Sequence, residues 1–358
     1  MRFSSNFQTN IKVVDLFCGI GGLTHGLIKE GLDVVAGIDN DSLCKFGYEY
    51  NNKTKFINQN ILQVTAEEVN RLFGKNKAVR VLAGCAPCQP FSKLNLKTIT
   101  QQQLQPLEKF AQLIDEVKPD IVSMENVSEL ANMNKYPVFK TFINTLERNG
   151  YKYKYEIVDV SEYGVPQRRR RLVLLASRFG EIELVKRTHK DKRVTVRDVI
   201  KNLEPLRDGE ISSKDPLHRS RKLNPLNLMR IKATPHNGGG SDSWDEKLVL
   251  ECHKKESGKT YRGTVYGRMR WDEPAPTMTT QCVGIGNGRF GHPEQDRAIS
   301  LREAALFQTF PMGYQFSDPA NPIITAHVAR FIGNAVPVRL GVIIAQSIKA
   351  HIKHYAEQ

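Results

Sequence analysis

The chain has 358 residues, 40% of them apolar and 25% charged, which is ordinary for a globular protein and enough for a sizeable core. Six cysteines exclude a disulfide-stapled scaffold, and no apolar run approaches the ~18 residues of a membrane-crossing helix. The 52 Lys+Arg against 38 Asp+Glu give a net charge of +14, the sign of a chain that binds a polyanion such as nucleic acid.

Residues 1–10 are polar and lack a signal-peptide core, which predicts a cytoplasmic chain with reduced thiols and no membrane partner. Residues 12–17 predict a strand running into Cys18-Gly19-Ile20-Gly21-Gly22, then a helix to Glu30. A second strand over 33–38 ends at Asp39-Asn40. Asp39 lies 20 positions after Gly19, the separation that suits a ribose diol. Thr24 holds the place where a dinucleotide loop has its last glycine, so the ligand predicted is a nucleoside without phosphates.

A short strand over 55–57 leads into Asn58-Gln59-Asn60-Ile61. A buried strand over 79–83 leads into Gly84-Cys85-Ala86-Pro87-Cys88-Gln89-Pro90-Phe91-Ser92. Residues 104–117 have helical spacing, and 120–124 form a strand ending in Glu125-Asn126-Val127. A helix over 136–148 closes at Asn149-Gly150. Strands over 153–160 and 171–177 flank Gln167-Arg168-Arg169-Arg170-Arg171. Strands separated by helices predict an α/β fold, a mostly parallel sheet with helices on both faces.

The texture then changes. Residues 181–270 carry 21 Lys+Arg and 13 Asp+Glu, a net of +8, with weak periodicity broken by Pro216, Pro225, Pro235 and Gly238-Gly239-Gly240. A separate, irregular, basic small domain is expected there. Its glycine triplet is either a plain loop or a backbone approach to phosphates. Regular structure returns as helices over 301–307 and 324–332, then Gly333-Asn334-Ala335-Val336-Pro337. A last helix should reach about His354, with Pro337 in its first turn.

Parallel strands share their carboxyl edge, so Cys88, Glu125 and the 168–171 arginines should meet the glycine loop there. A thiolate attacks, a carboxyl in a closed pocket donates a proton near neutrality, and arginine holds that carboxyl. Together these suit conjugate addition to an electron-poor ring. Alternation along a strand aims Arg169 and Arg171 to one face. The Cys85-Ala86-Pro87-Cys88 spacing also admits a redox or zinc motif. No second pair has ligand spacing, and Pro90 with the polar stretch after it favours a loop over the helix a redox motif would begin.

With these residues in view the chain resembles the DNA (cytosine-5)-methyltransferase family, over nearly all of its length except the basic middle. Residues 15–22 resemble the family's cofactor loop, and Pro87-Cys88-Gln89-Pro90-Phe91-Ser92 its nucleophile loop. Glu125-Asn126-Val127, Gln167 to Arg171, residues 297–311 and Gly333 to Pro337 resemble four further motifs in the family's order. The resemblance implies a Rossmann-like S-adenosyl-L-methionine-dependent methyltransferase sheet with a smaller irregular target-recognition domain. It divides the chain into a catalytic and cofactor-binding part (1–185), a small domain (186–318, target recognition over about 186–270) and helices completing the catalytic part (319–358).

The implied reaction flips a cytosine out of duplex DNA, adds Cys88 to its C6, and methylates C5, leaving S-adenosyl-L-homocysteine and needing no metal. Glu125 would bond or protonate N3, Arg169 would hold Glu125 and the base, and Arg171, Gln89 and Asn126 would complete the catalytic set. Asp15, Phe17, Gly19, Ile20, Gly21, Gly22, Asp39, Asn40, Asn60, Ile61, Leu107, Asn334 and Ala335 would form the cofactor site. Ser92, Arg219, Arg221, Lys222 and Gly239 would touch DNA, and a loop over about 89–106 would close on it.

Two departures stand out: Asn60 replaces the usual Asp, and the loop before Leu107 is rich in Gln and lacks Asp-x-Arg-Gly. The implied partners are double-stranded DNA and a separately acting restriction endonuclease, with the chain working as a monomer. The runner-up is a tRNA-methylating branch with the same motifs; a catalytically dead DNA binder and a thiol oxidoreductase are more remote. The long basic middle favours DNA, since major-groove readout needs added surface.

Overall fold

The computed structural model describes residues 10–87, 100–255 and 265–357. Its Val-, Ile- and Leu-rich runs form strands β1 (Ile11–Leu16), β2 (Asp33–Asp39), β3 (Lys55–Asn58), β4 (Val79–Gly84), β5 (Ile121–Val127), β6 (Lys152–Asp159) and β7 (Arg170–Ser177). They make one 7-stranded sheet of order β3-β2-β1-β4-β5-β7-β6. Neighbours among β1 to β5 pair in parallel, and β7 runs antiparallel between β5 and β6. Strands β4 and β5 are buried almost throughout, which is why they open on apolar residues that do not alternate with exposed polar ones, apart from Arg80, and why the polar Ser123, Glu125 and Asn126 of β5 are buried too. β6 is an edge, and its exposed Lys152 and Lys154 discourage pairing with another chain.

The helices are α1 (Gly22–Lys29), α2 (Lys45–Asn52), α3 (Ala66–Phe73), α4 (Gln101–Val117), α5 (Pro137–Arg148), α6 (Val196–Ile200), α7 (Pro225–Ala233), α8 (Glu251–Lys254), α9 (Leu301–Phe307), α10 (Thr325–Asn334) and α11 (Val338–Ala356). From β1 the chain steps outward to β2 and β3, then reverses to β4 and β5. With right-handed crossovers the reversal puts α1 and α2 on one face and α3 to α5 on the other. On the second face Leu16, Leu82, Val122 and Met124 pack with Phe73, Phe110 and Phe142 into one core.

Two compact units emerge. The first is Met1–Asp159, Arg170–Arg187 and Val336–Gln358, with the sheet, α1 to α5 and α11; the second is Val160–Arg169 and Thr188–Ala335, with α6 to α10. The boundaries differ from the sequence expectation. Residues 160–169 leave the sheet unit, and the return falls at 335/336 rather than 318/319. The cause is local: Gln308 Nε2 donates to the carbonyls of Ile332 and Ala335, which ties the end of α10 to α9.

In the second unit buried guanidinium groups do much of what ladders do elsewhere. Arg268, 0% exposed, donates to the carbonyls of Ile231, Thr234, His292 and Gln295 and pairs with Asp296. Arg297 grips Glu303 through two bonds of 2.8 and 2.7 Å. Burial alone would raise the Glu303 carboxyl; the Arg297 charge outweighs it and holds the group down at about 2.

Two local expectations are corrected. Helix α4 starts at Gln101, where a loop to residue 106 was predicted, because glutamines favour helices and Gln103 Oε1 accepts from the Thr100 N–H at 3.0 Å. Pro337 is the N-cap of α11, not a residue of its first turn. The stretch Thr325–Ala356 is apolar enough for a membrane span by composition, yet 83% of its most apolar window is buried inside the protein, as in a core helix.

Candidate active site

β1 and β4 are neighbours whose following connections lead to opposite faces, and open α/β sheets bind ligands at that point. Leu16 pairs with Gly84, so the glycine loop and Cys85-Ala86-Pro87 leave the sheet side by side. Left-handed φ values of 59° at Phe17, 51° at Gly19 and 91° at Gly21 fold the loop back on itself. Only the glycines take that conformation without strain. Asp39 anchors the loop: Oδ2 accepts from Gly19 N at 2.8 Å and Oδ1 from Asp41 N at 2.9 Å. Burial nevertheless raises the Asp39 carboxyl above its ordinary value. A Cβ built on Gly19 would meet nothing within 4 Å, so that side of the loop is open.

Asp15 lies buried at the carboxyl end of β1. Its Oδ2 accepts from the Thr24 hydroxyl at 2.6 Å, and Thr24 is 3.1 Å from the Tyr48 hydroxyl. The other oxygen, Oδ1, has no partner among the described residues, and burial pushes the carboxyl up to about 7. Thr24 thus binds a carboxyl where a dinucleotide loop would have a glycine. Ile20, Gly21 and Gly22 are buried around it. Farther along the edge Asn40 and Asn60 are exposed, and Asn60 Oδ1 already accepts from Leu62 N at 3.0 Å. Ile61 and Leu107 belong to the hydrophobic core.

Glu125 is placed by β5 rather than by a loop after it, and is 2% exposed. Its Oε2 accepts from the Cys85 thiol at 2.8 Å, and its Oε1 lies 3.0 Å from Arg171 Nε. The carboxyl partner expected to be Arg169 is therefore Arg171. Register explains the change. Val127 stands opposite Arg171 and Glu125 opposite Val173, so Arg171 reaches Glu125 diagonally on one face of the sheet. Arg169 precedes β7 and leaves that face. Asn126, wholly buried, donates to Ala86 O at 3.1 Å and fixes the backbone just beyond the end of β4. Cys88, Gln89 and Ser92 lie outside the described residues.

Arg169 and Gln167 belong to the second unit. Arg169 is buried and donates to the carbonyls of Met278 at 2.9 Å and Gly333 at 3.3 Å. Gln167 bonds Phe307 O, Gln308 Oε1 and the Met278 N–H. These contacts hold the turn in which Asn334 is exposed and Ala335 buried. Two of the expected DNA contacts are otherwise engaged. Arg219 donates to the carbonyls of Pro216 at 2.8 Å and Ile323 at 3.3 Å. Gly239 N–H bonds Pro235 O, and its carbonyl accepts from Arg268 N and Arg289. That backbone is a packing feature, not a free phosphate cradle. Arg221 and Lys222 are exposed.

Among the described residues no group of three or more His, Cys, Asp and Glu side chains could hold a metal ion. The roles the sequence did not reveal are Cys85 as the donor to Glu125, Arg268 as a buried scaffold, and the pairing of Arg297 with Glu303 inside the 297–311 motif. Cys85 was legible only through the strand register.

A parallel sheet reversed by one antiparallel strand, with a glycine loop at the β1/β4 switch point and a buried Glu–Arg pair on the adjacent β5 and β7, is the architecture of an α/β methyltransferase. Residues 11–350 match the family model of the C-5 cytosine-specific DNA methylases, and the chain belongs to that family as a DNA (cytosine-5)-methyltransferase. It is 52% identical over 347 residues to the Type II methylase M.HgiDII of Herpetosiphon aurantiacus, covering 97% of each chain. It is 26% identical to DNA (cytosine-5)-methyltransferase 3 of Arabidopsis thaliana, spanning 30% of that longer protein. A solved DNA modification methyltransferase from an Escherichia coli prophage shares the fold, with a TM-score of 0.69 at 20% identity, covering 96% of this chain and 100% of that one. The tRNA reading is not favoured by these matches.

Proposed function

We propose that the chain methylates C5 of a cytosine within a specific double-stranded DNA sequence, protecting host DNA beside a separately acting restriction endonuclease. The observation that carries the chemistry is Glu125, buried between Cys85 and Arg171 at the carboxyl edge of the sheet. The relationship to a Type II methylase supports the biological role.

The cofactor that fits is S-adenosyl-L-methionine, which supplies an electrophilic methyl group. The open Gly19, the Asp39 carboxyl at the end of β2 and the orphaned Asp15 Oδ1 suit a nucleoside with a cationic amino-acid end. Phe17, Gly19, Ile20, Gly21 and Gly22 line it, and Asp39 accepts from ribose hydroxyls. Asn40, Asn60, Ile61 and Leu107 complete its surroundings within the first unit. Cys88 adds to C6 of the flipped base as thiolate, and Glu125 bonds or protonates N3 while Arg171 holds the carboxyl. Once C5 carries the methyl group, transfer of the C5 proton to a base re-forms the C5–C6 double bond and breaks the bond from C6 to Cys88, which leaves as thiolate. The exposed Arg221 and Lys222, with Ser92, contact DNA.

The test is transfer of a radiolabelled methyl group from S-adenosyl-L-methionine to unmethylated plasmid DNA and to tRNA, followed by bisulfite sequencing. DNA should accept and tRNA should not. Cys88→Ser should abolish transfer and the covalent adduct with 5-fluorocytosine DNA. Transfer to tRNA alone would overturn the reading.

A further inference from the structure

The two contacts that enclose Glu125 differ in kind. Arg171 Nε is 3.0 Å from Oε1, but no hydrogen bond reaches that oxygen among the described residues. The Cys85 thiol donates to Oε2 at 2.8 Å and is the one hydrogen-bond donor the described residues give this buried carboxyl. The placement follows from the sheet. Gly84 pairs with Met124, so Cys85 and Glu125, one residue farther on each strand, stand level. Cys85 N donates to Leu16 O at 3.3 Å, which fixes the backbone from which the thiol reaches.

We propose that Cys85 is a positioning residue for methyl transfer, its thiol holding Glu125 in place until the N3 edge of the target cytosine displaces it. This rests on Glu125 being the acid that meets the base. A buried carboxyl oxygen left without a donor loses its orientation as well as a hydrogen bond. A thiol is a weak donor, so the base edge displaces it more readily than a hydroxyl or an ammonium group. The same geometry accounts for the first cysteine of Cys85-Ala86-Pro87-Cys88 without redox or metal chemistry.

The test is single-turnover methyl transfer to unmethylated plasmid DNA by the full chain carrying Cys85→Ala or Cys85→Ser, each alone and with Glu125→Gln, alongside thermal melting. Cys85→Ala should slow transfer about tenfold, the equivalent of one hydrogen bond. Cys85→Ser should recover the rate to within about threefold, since its hydroxyl can donate to the same oxygen. In the Glu125→Gln background Cys85→Ala should add less than about twofold, because Arg171 draws the amide oxygen to itself and leaves an N–H donor, not an acceptor, facing the thiol. Transfer by Cys85→Ala at the unaltered rate, equal loss in Ala and Ser variants that melt normally, or full additivity with Glu125→Gln would each overturn the proposal. A Glu125→Gln chain that transfers normally would instead overturn the underlying assignment of Glu125, which the single variants distinguish.

Discussion

Arg171 and Arg169 are two residues apart and chemically identical, yet they hold different things. Arg171 faces a buried carboxylate, so Arg171→Ala leaves Glu125 with its charge uncompensated, a loss on the order of 3–5 kcal/mol. Most of that loss should vanish in a Glu125→Gln background, whereas the loss from Arg169→Ala, whose bonds go to main-chain carbonyls, should persist. Urea titrations of the four variants check this, and Arg171→Ala should also slow methyl transfer at least ~100-fold. Asp15 gives a pH signature. Its carboxyl rises from 3.8 to about 7 through burial, so the folded state holds the proton more tightly than the unfolded one. The resulting stability is fully present below about 3.8 and is lost as pH rises through about 7. Asp15→Asn should flatten the stability curve between those limits, read as the urea midpoint against pH. An unchanged slope would show that Asp15 does not titrate in that window.

Helix α1 begins in the glycine loop and packs on α11 at glycine positions. A Cβ on Gly26 would lie 2.4 Å from Val338 O and 2.7 Å from Gly341 Cα, both backbone atoms that cannot turn aside. Gly26→Ala should therefore destabilise the first unit by roughly 1–3 kcal/mol or more, despite alanine's better helix propensity. Because α1 carries Thr24 beneath Asp15, cofactor affinity should fall with it. Equilibrium unfolding and calorimetric cofactor titration measure the two effects. A Gly26→Ala chain as stable as the parent would mean that the two helices separate more easily than this packing implies. In the second unit Gly238 plays a similar part: its φ is 103°, and a Cβ there would strike the Arg270 side chain at 2.4 Å.

The excess of positive charge belongs to the whole chain, but not all of it faces solvent. Arg268, Arg297 and Arg302 are buried in pairs with Asp296, Glu303 and Asp215 that cancel within the +14, whereas the buried Arg230 bonds only neutral oxygens among the described residues and is lost to the surface. The exposed remainder should still make DNA binding weaken steeply with salt. We expect sequence specificity to travel with the second unit rather than with 186–270 alone. A graft ending at 270 separates Arg268 from Asp296, His292 and Gln295. Exchanging Thr188–Ala335 with that of a relative should transfer the relative's target site and melt higher than the shorter graft. Bisulfite sequencing of plasmid DNA reads the outcome, and an active, folded exchange that keeps the original site would place recognition elsewhere.

What the amino-acid sequence by itself determined is local. Continuous apolar runs dictate buried strands, helical spacing dictates the crossovers, and glycines mark where the chain must turn left-handed at Gly19 and Gly21. These patterns were sufficient for the α/β fold, because each depends on residues close together in the chain. They also misled where the deciding partner was distant. The glutamines before Leu107 look like loop until the Thr100–Gln103 cap is seen. Arg169 and Arg171 share an alternation until β7 starts between them and carries only the second towards Glu125. Cys85 looks like half of a redox pair until β4 and β5 align it with a carboxyl 40 residues away. Tertiary structure alone decided these, because strand register sets which side chains meet, and register is fixed by the packing of the whole sheet.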